Sequence, residues 1–319
     1  MSAAVAIVNP ASSNGRTLKR WPALQRALQD RLGDLQLVQT EAPGHATLLA
    51  RRALEQGATL VISIGGDGTN NEVLCGFVDE HGENRFPDAE LGLIQGGTGG
   101  DFLRHLGPHA IEAQLAALAE PAITIDYGVA RFIDREGHPT TRPFLNVASA
   151  GISGLVDFYV GRSNKLLGPA ATYVAGSLQG IWNHRGKAVQ IRIDDGDAIE
   201  LPLDLAAVAN GQYFGGGMWI APRAQCNDGR FDLIWTGGLT RTKMIGLLAK
   251  LFRGSHVDAP GVHSGRAQKI ALTPCDAADV VLVDLDGEQP GRLPAEIHIV
   301  PAALRVRAAG LPGPARTRR

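Results

Sequence analysis

Residues 61–73 read VISIGGDGTNNEV, an apolar run that breaks into two glycines, an aspartate, a third glycine and a threonine. A helix-compatible segment then starts at Asn70. Val61, Ile62 and Ile64 read as a buried strand, and Gly65, Gly66 and Gly68 permit positive φ and a close approach of backbone to ligand. The N–H groups of such a turn, with the N-terminus of the following helix, cradle an anion such as phosphate. Asp67 repels phosphate, so its place in the turn calls for a divalent cation between the two. Two further runs place carboxylates in tight turns. Asn227-Asp228-Gly229-Arg230 can set one carboxylate and adjacent carbonyls around a hard cation. Leu285-Asp286-Gly287-Glu288 has the composition of a hairpin turn.

The elements that must position these runs change character partway along the chain. Strands at residues 5–8, 35–38, 60–64 and 91–94 alternate with helical segments at 18–32, 45–56, 70–78 and 110–119. This βαβα rhythm implies a doubly wound parallel sheet with ligands at the carboxyl ends of its strands. After about Pro121 strands dominate, at residues 123–127, 144–148, 188–193, 203–209, 231–235, 269–272, 280–285 and 296–300. Their Gly, Asp, Asn and Pro turns suit an antiparallel all-β domain, interrupted by helices near 170–182 and 241–252. The Gly-, Pro- and Arg-rich tail, 310–319, is expected to be disordered.

GGDGT followed by Asn71-Glu72 resembles the nucleotide-binding signature of the diacylglycerol kinase catalytic domain family, which includes bacterial lipid kinases and the sphingosine and ceramide kinases. GGDGT alone is shared with NAD kinases and, more distantly, phosphofructokinases; the Asn-Glu pair points to the lipid branch. The resemblance covers residues 5–306. It implies an α/β ATP-binding domain over 1–122 and a β-sandwich over 123–309 whose last strand packs back on the first domain, with the active site in the cleft between them. Asn9-Pro10 with Ser12, Ser13 and Gly15 resembles the family's Asn-Pro-x-Ser opening beside the nucleotide. Thr40 with Gly44-His45-Ala46 is similar to its Thr-x-x-x-Gly-His-Ala segment, in which the threonine contacts the nucleotide. A neutral, hydrogen-bonding His45 fits a helix N-terminus. The loop from Gln95 to Phe102 keeps Gly97, Thr98, Asp101 and Phe102, but Gln95 and Gly100 stand where relatives carry proline and asparagine.

By this resemblance ATP is held by Asn9, Thr40, Gly65, Gly66, Asp67, Gly68, Thr69, Asn70, Asn71, Glu72 and Thr98, with Mg2+ balanced by Asp67. The run Asn210 to Gly217 and the following Asp228-Gly229 segment resemble the family's second-domain pattern. They imply a structural Mg2+ held by Asp228 and the backbone oxygens of Gln225 and Arg230. The family's Asp-Gly-Glu corresponds to Asp286-Gly287-Glu288. A carboxylate base facing a magnesium-bound γ-phosphate is what phosphoryl transfer to a hydroxyl requires. The base role falls to the Asp286 and Glu288 pair, without assigning the proton to one of them.

Composition bounds the alternatives. The chain has 319 residues, 44% hydrophobic and 20% charged, which favours two soluble globular domains. A net charge of −1 argues against a nucleic-acid binder. Cys75, Cys226 and Cys275 are widely spaced and lack metal-ligand spacing, as in a reducing compartment. No apolar run is long enough to span a bilayer, and MSAAVAIVNP lacks the features of a signal peptide. The expectation is a cytoplasmic lipid kinase, peripherally associated with the membrane that presents its lipid, with a homo-oligomer left open. The basic-apolar stretch 241–253 is either a membrane face or a core-packed helix. The rival readings are an NAD kinase-like enzyme and a nucleotide-binding regulator without turnover.

Overall fold

Strands written as unbroken apolar runs need cover on both faces, and the first part of the chain supplies it with helices. The computed structural model describes residues 3–12, 16–96, 100–107, 110–162, 169–308 and 310–311. It divides into two units, the first formed by Met1–Asp126 and Ala302–Gly313, the second by Tyr127–Pro301. In the first unit β1 (Ala4–Val8), α1 (Arg16–Leu32), β2 (Leu35–Gln39), α2 (His45–Glu55), β3 (Leu60–Gly65), α3 (Asp67–Phe77), β4 (Glu90–Gln95), α4 (Asp101–Leu106) and α5 (Ile111–Ala117) follow one another. The strands pair in parallel in the order β2, β1, β3, β4. Arg305, Val306 and Arg307 extend the sheet in parallel beside β4, and Arg305 and Arg307 both bond Glu90, at 2.7 and 2.5 Å. Ala4, Ala6, Val8, Ile62 and Ile64 pack against Trp21, Leu24 and Leu28 of α1 and Leu115 of α5. Alternation along a strand sends the intervening residues to the opposite face, where α2 and α3 meet each other and β3.

The second unit is built from antiparallel pairs. Its elements are β5 (Ile123–Asp134), β6 (Pro139–Phe144), β7 (Val147–Gly151), α6 (Ile152–Arg162), α7 (Pro169–Asn183), β8 (Lys187–Ile193) and β9 (Ile199–Ala209). They continue with β10 (Phe231–Gly237), α8 (Arg241–Leu251), β11 (Val262–Ala267), β12 (Lys269–Pro274), β13 (Leu282–Leu285) and β14 (Glu288–Arg307). Strand neighbours run β11, β10, β9, β7, β13, β14, while β8 pairs with β9 and β12, and β12 with β14. Phe132, Phe144, Phe231, Val189 and Leu272 lie in its main core. Both β5 and β14 have residues in each unit.

Several local expectations change in the structure. Residues 144–148 are not one strand: β6 ends at Phe144 and β7 begins at Val147. Helices α4 and α6 and strand β11 were not expected. The sequence of α6, ISGLVDFYVGR, is glycine-containing and apolar without a clear helical face. Its glycine has a packing purpose: a Cβ on Gly154 would lie 2.4 Å from Leu282 Cβ, so only glycine lets α6 sit this close to β13. Among the described residues no helix is long and apolar enough to cross a membrane. The expected disordered tail, apart from Gly310 and Leu311, lies outside the described residues.

Candidate active site

The phosphate-cradle sequence sits where β3 hands over to α3, but its geometry differs from the expectation. Helix α3 starts at Asp67, three residues before Asn70, so Gly68 and Thr69 are helical. None of Gly65, Gly66 and Gly68 has positive φ; Gly66, the N-cap, is extended with φ −107 and ψ −171. The glycines serve close approach instead. A Cβ on Gly65 would lie 2.4 Å from Thr69 Oγ1, whereas one on Gly66 would meet nothing within 4 Å among the described residues. Gly65 therefore lets the first turn of α3 fold back on the strand end, and Gly66 leaves the approach to the helix N-terminus open. The side chains around this end are fixed to one another. Asn9 Nδ2 donates to Thr69 Oγ1 at 3.0 Å and Ser63 Oγ to Asn70 Oδ1 at 2.7 Å. Asn70 Nδ2 is buried with no partner among the described residues. An open helix N-terminus, a strand end that excludes a Cβ and an orphaned amide donor fit a phosphate-bearing ligand.

The two acidic residues of the motif hold helix starts. Asp67 accepts N–H bonds from Gly100, Asp101 and Phe102 at 3.1, 3.0 and 3.3 Å, capping α4 from 33 residues away in sequence. Burial pushes its carboxyl above the ordinary range, and these N–H donors pull the other way. Gly100 there has φ 111, a left-handed value that glycine adopts without strain, which accounts for glycine at this departure from the family's pattern. Glu72 receives the N–H groups of Gly44 and Ala46 at 2.9 and 3.1 Å, capping α2. His45 Nδ1 accepts the Glu41 N–H at 3.1 Å, a structural bond. Thr40, half-buried, donates its N–H to Val8 O at 2.9 Å. Asn71 is fully buried within α3. Thr98, with Gly97, Ser13 and Gly15, lies outside the described residues. The sequence reading missed Thr17, whose buried hydroxyl donates to Gly96 O at 2.5 Å and bonds Ser12 Oγ, tying α1 to the end of β4. A hydroxyl two residues beyond Gly15 was the available signal.

In the second unit Asp286-Gly287 forms the two-residue loop between β13 and β14, with Leu285 opposite Glu288. Both loop residues are left-handed, φ 51 and 85, as a type I′ hairpin requires. The buried Asp286 carboxylate accepts the N–H groups of Leu145, Asn146 and Val147 at 2.8, 2.9 and 3.1 Å. That loop is held in turn by the glycine-rich motif: Asn210 Nδ2 donates to Leu145 O at 2.7 Å, and the Asn210 and Gly211 N–H groups donate to Asn146 O. Gly215, Gly216 and Gly217 then run left-handed in succession. Glu288 is more open, its side chain 40% exposed, and accepts from Arg142 Nη2 at 2.8 Å. Asp284 was not singled out from sequence, yet it braces the loop. Its Oδ1 accepts the Gly287 N–H and its Oδ2 the Ser149 hydroxyl, both at 2.8 Å. It also hydrogen-bonds Asp157 of α6; burial raises Asp157 to about 6 and Asp284 well above the usual carboxyl range.

The third run, where the family resemblance implies a structural Mg2+, has its carboxylate engaged by an arginine. Asp228 is there, but its carboxylate is bonded by the Arg266 guanidinium and accepts the Arg230 N–H at 3.2 Å. Gln225 is half-buried and Arg230 exposed.

Residues 3–130 match the family model of the diacylglycerol kinase catalytic domain, and residues 146–308 that of the YegS C-terminal NAD kinase beta sandwich-like domain. The chain is 31% identical over 308 residues to the diacylglycerol kinase of Mycobacterium tuberculosis H37Rv, covering 94% of this chain and 93% of that one. A crystal structure of a candidate diacylglycerol kinase from Bacillus anthracis str. Sterne superposes with a TM-score of 0.76 at 24% identity, over 96% of this chain and 97% of that one. The yeast NADH kinase complexed with NADH shares the fold more distantly, with a TM-score of 0.52 at 11% identity over 96% and 83% of the two chains. An α/β first domain with a strand-to-helix GGDGT, followed by a β-rich second domain with an Asp-Gly-Glu hairpin, places the chain in the diacylglycerol kinase family of lipid kinases.

Proposed function

We propose that the protein is an ATP- and magnesium-dependent lipid kinase that phosphorylates a hydroxyl of a diacylglycerol-like or sphingoid lipid. The observation that carries this reading is the end of β3, where the start of α3 lies clear of its described neighbours, Gly65 takes the close contact of Thr69 and the buried Asn70 amide has no partner among the described residues. Magnesium–ATP, when bound, supplies the γ-phosphoryl group and the positive charge that offsets it. The backbone from Gly65 to Thr69 holds the phosphates, with Asn9, Thr40, Asn70, Asn71 and Thr98 nearby in the sequence pattern. Asp67 orients α4 and serves the magnesium–phosphate charge balance, directly or through water. The Asp286 and Glu288 pair takes the acceptor proton as the new O–P bond forms and ADP leaves. Arg142 fixes the position of Glu288. The test is incubation with γ-labelled ATP and Mg2+ over a panel of lipids in mixed micelles, with NAD as a parallel acceptor. Label in a lipid phosphate supports the reading; label in NAD alone, or in nothing, overturns it.

A lipid acceptor must be met at a bilayer, and the helices of the second unit supply a surface for it. Along α8 Leu248 is buried and Met244, Leu247 and Leu251 are half-buried, Leu251 against a core cluster of the second unit, so one side of the helix packs inward and the other is left for a surface. Trp182 at the end of α7 is 70% exposed and carries the Arg241 guanidinium 5.3 Å from its ring. Ile245 and Phe252 are exposed beside Lys243, Lys250 and Arg253. Aromatic and basic residues together suit an anionic interface. We expect the protein to cosediment with anionic vesicles more than with neutral ones at low salt, and the difference to fade as salt screens it. Equal binding to both at low salt would remove this surface from the proposal.

The carboxyl pair behind the hairpin yields a separate expectation. Asp284→Ala removes the acceptor for Gly287 N–H, and a slightly misplaced loop should lower kcat by about 10–100-fold while KM for ATP changes little. Asp284→Asn keeps an acceptor oxygen and should stay near the parent. Folded Asp157 holds its proton up to about pH 6, against 3.8 for a solvated aspartate. The folded state therefore binds more protons than the unfolded state in that window, and stability falls as pH rises through it. Thermal melts across this range should show that slope, and Asp157→Asn should flatten it. A slope unchanged by the substitution would assign it to other groups.

A further inference from the structure

The turn that holds Asp228 already contains a cation. Asp228 lies just before β10, and Asp232, the second residue of β10, stands opposite Arg266 of β11 in antiparallel register. The guanidinium reaches both acids. Its Nη2 bonds Asp228 Oδ2, and its Nε lies 3.6 Å from Asp232 Oδ2. Asp232 Oδ2 is buried and makes no hydrogen bond of its own. The other Asp228 oxygen accepts the Arg230 N–H within the turn, and Gln268, between β11 and β12, donates its Nε2 to Gly229 O at 3.4 Å. Mg2+ keeps several of its waters and is bound through one or two carboxylates, and here both carboxylates of the turn already face the Arg266 guanidinium. A guanidinium, with five donors in a planar fork, instead matches two carboxylates presented from different segments. That is the arrangement here.

We propose that Arg266 is the resident cation of this turn, joining Asp228 in the loop to Asp232 in the sheet so that the turn keeps its shape without a bound metal ion. The nucleotide's magnesium is a different ion, so this inference stands apart from the kinase reading. The test uses the full chain without nucleotide, melted in EDTA and in millimolar Mg2+. The parent should melt at the same temperature in both. Arg266→Ala should melt several degrees lower in EDTA, because two neighbouring carboxylates are left without their cation, and Mg2+ should restore most of the loss. In Arg266→Ala combined with Asp228→Asn, Mg2+ should restore nothing. Calorimetric titration should find a Mg2+ site in Arg266→Ala that the nucleotide-free parent lacks. The proposal is overturned if the parent loses stability in EDTA and Asp228→Asn abolishes that response. It is also overturned if Arg266→Ala melts like the parent, or melts lower without recovering in Mg2+. Should Arg266→Ala fail to fold, Asp228→Asn decides: it removes one acceptor of Arg266, so it should melt below the parent by the same amount in EDTA and in Mg2+, and a deficit seen in Mg2+ but not in EDTA overturns the proposal.

Discussion

Glu288→Gln should lower kcat by about 10²–10⁴-fold, the usual loss when a general base is removed, with little change in ATP affinity. The ATP cradle at Gly65 to Thr69 belongs to the first unit and Glu288 to the second, and the proposal gives this side chain no part in holding the nucleotide. Glu288 is the cleaner of the two carboxylates to replace. Its side chain is 40% exposed and among the described residues pairs with Arg142, so an amide of the same size leaves the hairpin in place. Asp286→Asn should lower kcat comparably, but for two reasons at once. Its carboxylate accepts three backbone N–H groups, and an amide turns a donor toward one of them. A buried N–H left without an acceptor costs about 1–3 kcal/mol, so this variant should also melt at a lower temperature. Steady-state kinetics with a melt on each variant separates the two effects. If both variants turn over normally at saturating ATP but bind it several-fold more weakly, the pair belongs to nucleotide binding and the acceptor-base role is wrong.

Replacement of Asp67 should have the second largest effect. Asp67→Ala removes the carboxylate that collects the Gly100, Asp101 and Phe102 N–H groups, and with it any service to the magnesium–phosphate charge balance. We expect a fall of about 10²–10³-fold in kcat, the scale for losing one preorganised electrostatic contact. The sheet and its core do not depend on this residue, so the global melting transition should remain cooperative, while hydrogen exchange should quicken at residues 100–102. Activity within a few-fold of the parent at saturating Mg2+ would sink the assignment. Normal exchange at 100–102 combined with lost activity would show that the charge acts on the ligand rather than through α4.

Much of the candidate site was legible because local sequence controls it. GGDGT lies at a strand-to-helix junction because an apolar run of Val and Ile can only end where glycine and aspartate interrupt it. Asp286-Gly287 makes a two-residue hairpin because both positions need positive φ, which Asp-Gly tolerates. The alternation of strand and helix before Pro121, and its loss afterwards, followed from hydrophobic periodicity alone. The departures at Gln95 and Gly100 could be read as changes of residue, but not as geometry.

The tertiary structure decided what each of these residues touches. Sequence placed Asp67 beside a phosphate; the fold put its oxygens on α4, because parallel pairing of β3 with β4 brings the ends of the two strands together. It made Gly65, expected at positive φ, a contact point, since the start of α3 folds back onto it, while Gly66 stays clear of its neighbours among the described residues. The loop at residues 145–147 and Asp286 are some 140 residues apart in the chain, and only the pairing of β13 with β7 brings them together. Arg266 reaches Asp228 for a similar reason, through the register of β10 and β11. Backbone preference depends on a residue and its near neighbours, and a chain can be read for it. The partner of a carboxylate depends on long-range strand register, which no local pattern contains.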